Sequence, residues 1–142
     1  MLIHIIDDDQ IFASVLKRYL KGHEVRTFFN AIDAINALEK KIPDLIFLDI
    51  LLDGPDGFTY LDEIASYSDT NSIPTVLISS LYHELPKLKD YNVIAYLDKT
   101  RLTPSDILQV VRGVTQFGGT PTCAHAGAHV GEELRQDPED GL

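Results

Sequence analysis

The chain of 142 residues carries 12 basic and 22 acidic side chains, and its formal net charge of −10 disfavours broad contact with nucleic-acid phosphates or an anionic membrane surface. A hydrophobic content of 44% is typical of one globular domain, and a single cysteine excludes an internal disulfide framework. The first nine residues hold no basic side chain and no apolar run reaches bilayer length, so we expect a soluble, cytoplasmic protein.

Short apolar runs alternate with helical patterns over the first 117 residues. The runs are rich in Ile, Leu and Val and do not alternate with polar residues, which is typical of strands buried on both faces of a parallel sheet. Five strands are predicted, the second from a weaker pattern: Leu2–Ile6, Glu24–Phe28, Asp44–Ile50, Thr75–Ile78 and Val93–Leu97.

Helical spacing and capping residues separate these runs. Asn30 and Asp33 stand where an N-cap and its partner in the first turn are expected. Thr103 precedes Pro104 and Asp106, a strong helix start. A helix is also predicted from Gly57 to Tyr67, and an earlier one carries an apolar stripe of Phe12, Val15, Leu16 and Tyr19.

The segment between the fourth and fifth strands contains Pro86, so any helix there is expected to be short. Alternating strands and helices of this kind predict a doubly wound α/β fold with right-handed crossovers.

The composition changes after Phe117. Residues 118–142 hold five of the nine glycines and five acids against one base, which predicts a flexible acidic tail behind a domain of residues 1–117. Cys123, His125 and His129 are metal-ligating types, but with no fourth ligand in a glycine-rich stretch the unstructured interpretation is favoured.

Chemically reactive side chains follow four of the predicted strands. Ligands of open α/β sheets bind beyond the carboxyl ends of the strands, so these residues should converge on one edge. Carboxylates gathered there would repel one another, which makes a divalent cation such as Mg²⁺ the natural partner. The residues are Asp7, Asp8 and Asp9, then Asp49, then Ser79 and Ser80, then Asp98 and Lys99.

Taken singly, each of these residues has a purely structural interpretation as a helix cap, a turn hydroxyl or a solvated lysine. Their order along the chain resembles that of a response-regulator receiver domain of two-component signalling, similar to chemotaxis regulators, and the resemblance covers residues 1–117. It implies a flavodoxin-like five-stranded parallel sheet in the order 2-1-3-4-5.

The resemblance also implies a role for individual residues. Asp49 matches the phosphoacceptor, Asp8 the direct Mg²⁺ ligand, and Asp7 the acid that holds the metal through water. The backbone carbonyl of Leu51 would be a further metal contact, Ser79 and Lys99 would bind the phosphoryl group, and Tyr96 matches the switch aromatic. Asp56 and Gly57 match the acidic–glycine pair that opens the third helix, and Ile11 and Ser14 are candidates for docking the kinase.

The implied function is a single-domain response regulator, phosphorylated by a histidine kinase or a histidine phosphotransfer protein, that signals to a protein partner as a monomer or weak dimer. No residues after Phe117 suggest a DNA-binding domain. Four positions depart from the family pattern: Asp53 and Thr100 replace prolines, and Leu51 and Leu81 fill flanking positions that are often polar.

Other classes fit the sequence less well. A pseudo-receiver that binds proteins without being phosphorylated is the main alternative, because the departures affect loops around the site. An aspartate-nucleophile phosphohydrolase would need an acid two residues after the nucleophile, where Leu51 stands. A dinucleotide-binding domain would need a glycine-rich turn where Asp7, Asp8 and Asp9 stand.

Overall fold

A computed structural model describes residues 1–52, 57–80 and 91–117 of the chain. Within these ranges the strands form one parallel sheet in the order β2-β1-β3-β4-β5, which confirms the predicted fold class and strand order. The strands are β1 Leu2–Ile6, β2 Glu24–Phe28, β3 Leu45–Asp49, β4 Thr75–Ser79 and β5 Val93–Asp98. The helices are α1 Gln10–Tyr19, α2 Ala31–Leu38, α3 Gly57–Ala65 and α4 Pro104–Phe117.

Several sequence predictions lie outside the described residues. They concern Asp53, Asp56, Leu81, the short helix at Pro86, and the acidic tail of residues 118–142 with its cysteine and histidines. In the part of the chain that is described, no helix combines the length and the apolar character needed to cross a bilayer.

The central strands form the core, and most of their residues are apolar. All positions of β1, β3 and β4 are buried, whereas β2 at the edge has exposed and half-buried positions only. Helices cover the two faces: α1 packs beside α4, and α2 packs beside α3. Burial on both faces accounts for the unbroken apolar runs in the sequence.

The predicted helix starts are confirmed by their hydrogen bonds. The Asn30 side chain accepts a hydrogen bond from the backbone N–H of Asp33 at 2.8 Å. Thr103 and Asp106 form a reciprocal capping box, with the Thr103 N–H donating to Asp106 Oδ2 at 3.0 Å and the Asp106 N–H donating to Thr103 Oγ1 at 3.2 Å. These bonds satisfy N–H groups that the first turn of a helix leaves without partners.

The apolar stripe of α1 agrees with the prediction at Leu16, which is buried, and at Phe12, which packs against the core, but differs at Tyr19. Ala13 and Leu16 are the buried residues of the helix, and Tyr19 is 36% exposed. At 100° per residue, Ala13 and Leu20 lie on one side of Leu16 and Tyr19 lies on the other. The helix therefore turns its small alanine toward the sheet and leaves the tyrosine ring at the surface. Leu108 of α4 is also exposed.

Candidate functional site

Three aspartates meet at the carboxyl edge of the sheet. Asp7 follows β1 directly, Asp8 comes next, and Asp49 is the last residue of β3, the neighbour of β1. One carboxylate oxygen of each lies within 4.8 Å of those of the other two. Asp7 and Asp49 are buried and Asp8 is half-buried, so the cluster is open to solvent mainly through Asp8.

Lys99 brings a positive charge to this cluster from two strands away. Its Nζ lies 2.9 Å from Asp7 Oδ2 and 3.3 Å from Asp49 Oδ2. Its backbone N–H donates to the Ser79 carbonyl at 3.1 Å, which holds the start of the loop after β5 against the end of β4. The ring of Phe12 lies under the ammonium, with 4.7 Å from Nζ to the ring centroid.

Both oxygens of Asp49 have partners. The backbone N–H of Leu51 donates to Oδ1 at 2.9 Å, and Lys99 Nζ donates to Oδ2 at 3.3 Å. These two bonds fix the plane of the carboxylate, so that an oxygen is held toward the cluster of Asp7 and Asp8.

Gly57, the first residue of α3, packs directly against the backbone that carries Asp49. A Cβ at this position would lie 2.6 Å from the Ile50 Cα and 2.9 Å from the Asp49 carbonyl oxygen, shorter than real contacts of this kind. The Gly57 N–H donates to the Ile50 carbonyl at 3.1 Å. The missing side chain therefore lets the helix start against the end of β3.

The three consecutive aspartates, Asp7, Asp8 and Asp9, do not all have the same role. Asp9 is the N-cap of α1, and its Oδ1 accepts from the N–H groups of Ile11 and Phe12 at 3.1 Å each. The Asp9 N–H in turn donates to Asp7 Oδ1 at 2.8 Å. The structural interpretation of the triplet is thus correct for Asp9, while Asp7 and Asp8 belong to the acidic cluster.

The electrostatics of the cluster follow from burial. Burial raises the pKa of Asp7 to about 6; the N–H of Asp9 and Lys99 act against this rise, and the Asp49 charge adds to it. Burial alone lowers the pKa of the Lys99 ammonium, but the hydrogen bond to Asp7 and the charges of Asp49 and Asp7 outweigh it, so the net shift is upward.

The residues present fit a divalent metal ion. Three carboxylates face one ammonium group, which leaves an excess of two negative charges when all are ionised. Among the described residues, buried Asp7 Oδ2 accepts no hydrogen bond of regular geometry, although Lys99 Nζ lies 2.9 Å from it. Carboxylate oxygens in this number are the ligands that Mg²⁺ takes together with waters and phosphate oxygens.

The remaining predicted residues lie on β4 or directly after it, on β5 and on α1. Ser79 is fully buried at the end of β4, whereas Ser80 is exposed. Tyr96 is 7% exposed within β5, paired in register with Leu77. On α1, Ile11 is 80% exposed, as expected, and Ser14 is exposed with its hydroxyl donating to the Gln10 carbonyl.

Two contacts were missed by sequence reasoning. The first is Phe12 beneath Lys99; only its place at the start of α1, close to the aspartates in sequence, hinted at it. The second involves Thr100, which replaces a proline of the family pattern. Its N–H and hydroxyl both donate to Asp98 Oδ1, at 2.9 and 2.6 Å, and a proline could make neither bond. Asp98 thus shapes the loop that carries Lys99.

Comparisons with known proteins agree with this architecture. The family model of the response regulator receiver domain matches residues 3–112. The chain therefore belongs to the response regulator receiver domain family, a family of signalling domains. It is 29% identical over 114 residues to the regulatory protein VanRc of Enterococcus gallinarum; the match covers 79% of this chain and 47% of that protein, so the chain spans about half the length of this curated relative.

Solved structures give the same result. The receiver domain of NtrX from Brucella abortus is 27% identical with a TM-score of 0.66, over 78% of this chain and 94% of that one. The phosphorylated cyanobacterial phytochrome response regulator RcpA is 26% identical with a TM-score of 0.60, over 82% of this chain and 91% of that one.

Proposed function

We propose that this receiver domain accepts a phosphoryl group on Asp49 from a histidine kinase or a histidine phosphotransfer protein and then signals to a protein partner. The observation that carries the proposal is the Asp49 carboxylate itself. It is buried at a strand end, oriented by two donors, and placed within 4.8 Å of two further carboxylates. A carboxylate held only for folding does not need like charges beside it.

The transfer is a displacement at phosphorus. An oxygen of Asp49 attacks the phosphorus of a phosphohistidine, opposite the imidazole nitrogen that leaves. The P–O bond forms as the P–N bond breaks, and the electron pair of that bond stays on the imidazole nitrogen. Negative charge spreads over the three equatorial oxygens of the phosphoryl group, so catalysis depends on positioning and on neutralising that charge.

Lys99 and Ser79 supply donors for those oxygens. The Lys99 ammonium lies 3.3 Å from the attacking carboxylate and would exchange this contact for the arriving phosphoryl oxygens. Ser79 would donate its hydroxyl from the end of β4, between β3 and β5. Mg²⁺, held by Asp8, Asp49 and the Leu51 carbonyl with Asp7 acting through water, would supply further positive charge at the phosphoryl group.

The signal would leave the site through the residues that respond to the new phosphoryl oxygens. Ser79 would move toward them, and the buried Tyr96 ring on the adjacent strand would repack. Ile11 and Ser14, exposed on the first turns of α1, would contact the kinase or phosphotransfer protein. We further propose residues 1–117 as the folded unit and a cytoplasmic monomer or weak dimer as its working form.

The chief alternative is a receiver that binds its partner without being phosphorylated. The complete set of acceptor, acidic pair, hydroxyl and lysine supports phosphorylation instead. An aspartate-nucleophile phosphohydrolase is not favoured, because an apolar, 47% exposed Leu51 stands where that chemistry needs an acid.

The proposal is tested by incubating the chain with Mg²⁺ and a small phosphodonor and measuring its intact mass. The wild type should gain the mass of one phosphoryl group, and Asp49→Asn should gain none. Asp9→Asn is the matched control, because asparagine caps a helix as well as aspartate and the same charge is removed at the residue next to Asp8, outside the cluster. It should be modified like the wild type.

Two results would contradict the proposal. A folded wild type that gains no mass would favour the phosphorylation-independent module. An Asp49→Asn variant that still gains one phosphoryl group would show that another residue is the acceptor. Circular dichroism of each variant establishes that the fold is intact.

A further inference from the structure

A basic groove lies at the end of the molecule opposite the acidic cluster. It is lined by Lys17, Arg18 and Lys21, by His23, and by the apolar side chains of Leu20 and Val25, and its volume is about 670 Å³. Three of the 12 basic residues of a chain with net charge −10 stand within residues 17–21, and residues 10–23 contain no acid. This groove is therefore positively charged, although the net charge of the chain is negative.

The three cationic side chains of the basic groove form no ion pairs with the described residues. Lys17, Arg18 and Lys21 are exposed, and no carboxylate of residues 1–52, 57–80 or 91–117 forms an ion pair with them. The C-terminal end of α1 favours positive charge in its last turn, which accounts for Lys17 and Arg18 by themselves. It does not account for Lys21, which lies beyond the helix.

The helix α4 ends at the same end of the molecule as the basic groove. The α4 residues Val114 and Thr115 line the same cavity as Met1. The Met1 amino group in turn lies 3.2 Å from Nδ1 of His23 in the basic groove. Since α1 also packs beside α4, the chain that continues after Phe117 starts close to the groove.

That continuing segment has the complementary charge. Residues 132–140, which we term the acidic segment, hold all five acids of the stretch after Phe117 and one arginine. Fourteen residues without Lys, Arg, Asp or Glu, four of them glycine, connect it to α4. A chain of this length and composition spans about 20 Å, roughly twice the distance between the axes of packed helices. At that span its local concentration at the groove is of millimolar order.

We propose that the acidic segment binds to the basic groove of its own molecule. Glu132, Glu133 and the acids after them would pair with Lys17, Arg18 and Lys21, and apolar atoms of the segment would cover the half-buried Val25. Exposed ion pairs are individually weak, so the contact depends on several of them and on the short connection. The inference is independent of phosphorylation at Asp49.

Paramagnetic relaxation in NMR spectra of the intact chain tests the contact. A spin label is attached in the double variant Cys123→Ser, Gly141→Cys, beside the acidic segment, and the amide signals of residues 17–25 are followed. These signals should lose most of their intensity at low salt. They should recover at about 0.5 M salt, where charges are screened beyond about 4 Å.

Charge reversal identifies the cations responsible. Lys17→Glu with Lys21→Glu should restore the signals of residues 17–25 at low salt. Lys40→Glu with Arg101→Glu is the matched control: the charge change is the same, but Lys40 follows α2 and Arg101 follows β5 at the carboxyl edge of the sheet. The control should leave the intensity loss in place.

Three outcomes would overturn the proposal. One is intensity loss without preference for residues 17–25, and another is loss that persists in Lys17→Glu, Lys21→Glu. The third comes from a mixture of two samples, one chain that carries the spin label but no ¹⁵N and one that carries ¹⁵N but no spin label. If the amide signals lose as much intensity in this mixture as in the doubly labelled chain, the acidic segment binds to the groove of a second copy.

Discussion

Two buried ionisable side chains on and beside β1 should change the stability of the protein with pH in opposite directions. His4 is 1% exposed, its ring packs edge-on against Phe28 at 4.9 Å, and its Nδ1 has no hydrogen-bond partner in the described structure. Burial, together with the charge of Arg26 and against that of Glu24, lowers the pKa of His4 from 6.5 to about 4.

The sign for His4 follows from which state binds the proton first. Below pH 6.5 the unfolded chain takes up a proton that the folded chain refuses until about pH 4, so stability is lost over that window as the pH falls. The difference between the pKa of His4 in the unfolded and in the folded chain corresponds to about 3 kcal/mol of folding stability. Allowance for solvent screening reduces this loss of stability to about 2 kcal/mol.

Asp7 acts in the opposite sense. Its pKa is raised from 3.8 to about 6, chiefly by burial, so the folded chain binds the proton first as the pH falls. The cost of the ionised, buried carboxylate is present above about pH 6 and is relieved toward pH 3.8, again by about 2 kcal/mol after screening. In the wild type the two contributions nearly cancel.

Single substitutions separate the two contributions. Urea unfolding with a metal chelator present is measured from about pH 7 to about pH 4 for the wild type, His4→Leu, Asp7→Asn and the double variant. The stability of His4→Leu relative to wild type should rise by about 2 kcal/mol as the pH falls, and that of Asp7→Asn should fall by about 2 kcal/mol. The double variant should follow the wild type. If the difference in unfolding free energy between His4→Leu and the wild type does not change with pH, the conclusion that the buried His4 ring is neutral in the folded protein is wrong.

Four further predictions concern the site. Gly57→Ala should destabilise the fold by about 2 kcal/mol or more in urea unfolding, because its Cβ meets backbone at 2.6 Å; unchanged stability would contradict that close packing. Asp8→Ala should weaken Mg²⁺ binding by roughly 100-fold in calorimetry and raise the metal-free stability by removing a like charge; weaker stability would argue against repulsion. Leu51→Asn should speed loss of the phosphoryl group from Asp49 several-fold, because an amide can hold the attacking water that leucine cannot; equal decay in the two proteins would count against shielding. Ile11→Lys should slow phosphorylation by the kinase but not by a small phosphodonor, and equal rates with the kinase would remove Ile11 from the docking surface.

Local sequence was sufficient for the elements and for the edge at which the site lies. Asn30, Thr103 and Asp106 mark helix starts through hydrogen bonds to residues three positions away, so neighbours in sequence decide them. The convergence of Asp7 and Asp49 was predictable for another reason. In a parallel sheet all carboxyl ends lie at one edge, so residues that end different strands meet whatever their separation in sequence.

The tertiary structure determined which of those residues belong to the site and which cap a helix. Asp7, Asp8 and Asp9 are chemically identical, and only the start of α1 makes the third a cap and leaves the others for the cluster. Lys99 reaches Asp49 because the strand order places β5 two strands from β3 and the intervening strand ends in a small serine.

Which residues of α1 are buried could not be predicted from periodicity alone. The pattern of α1 placed Tyr19 in the core, but a helix can rotate until its smallest apolar residue faces the sheet, and here Ala13 does so. The basic groove also depends on packing, since its walls come from residues 14–25 and its position depends on where α1 ends beside Met1. Sequence determines the local hydrogen bonds and the charges that a chain carries, whereas distances between side chains on separate elements are set only when those elements pack.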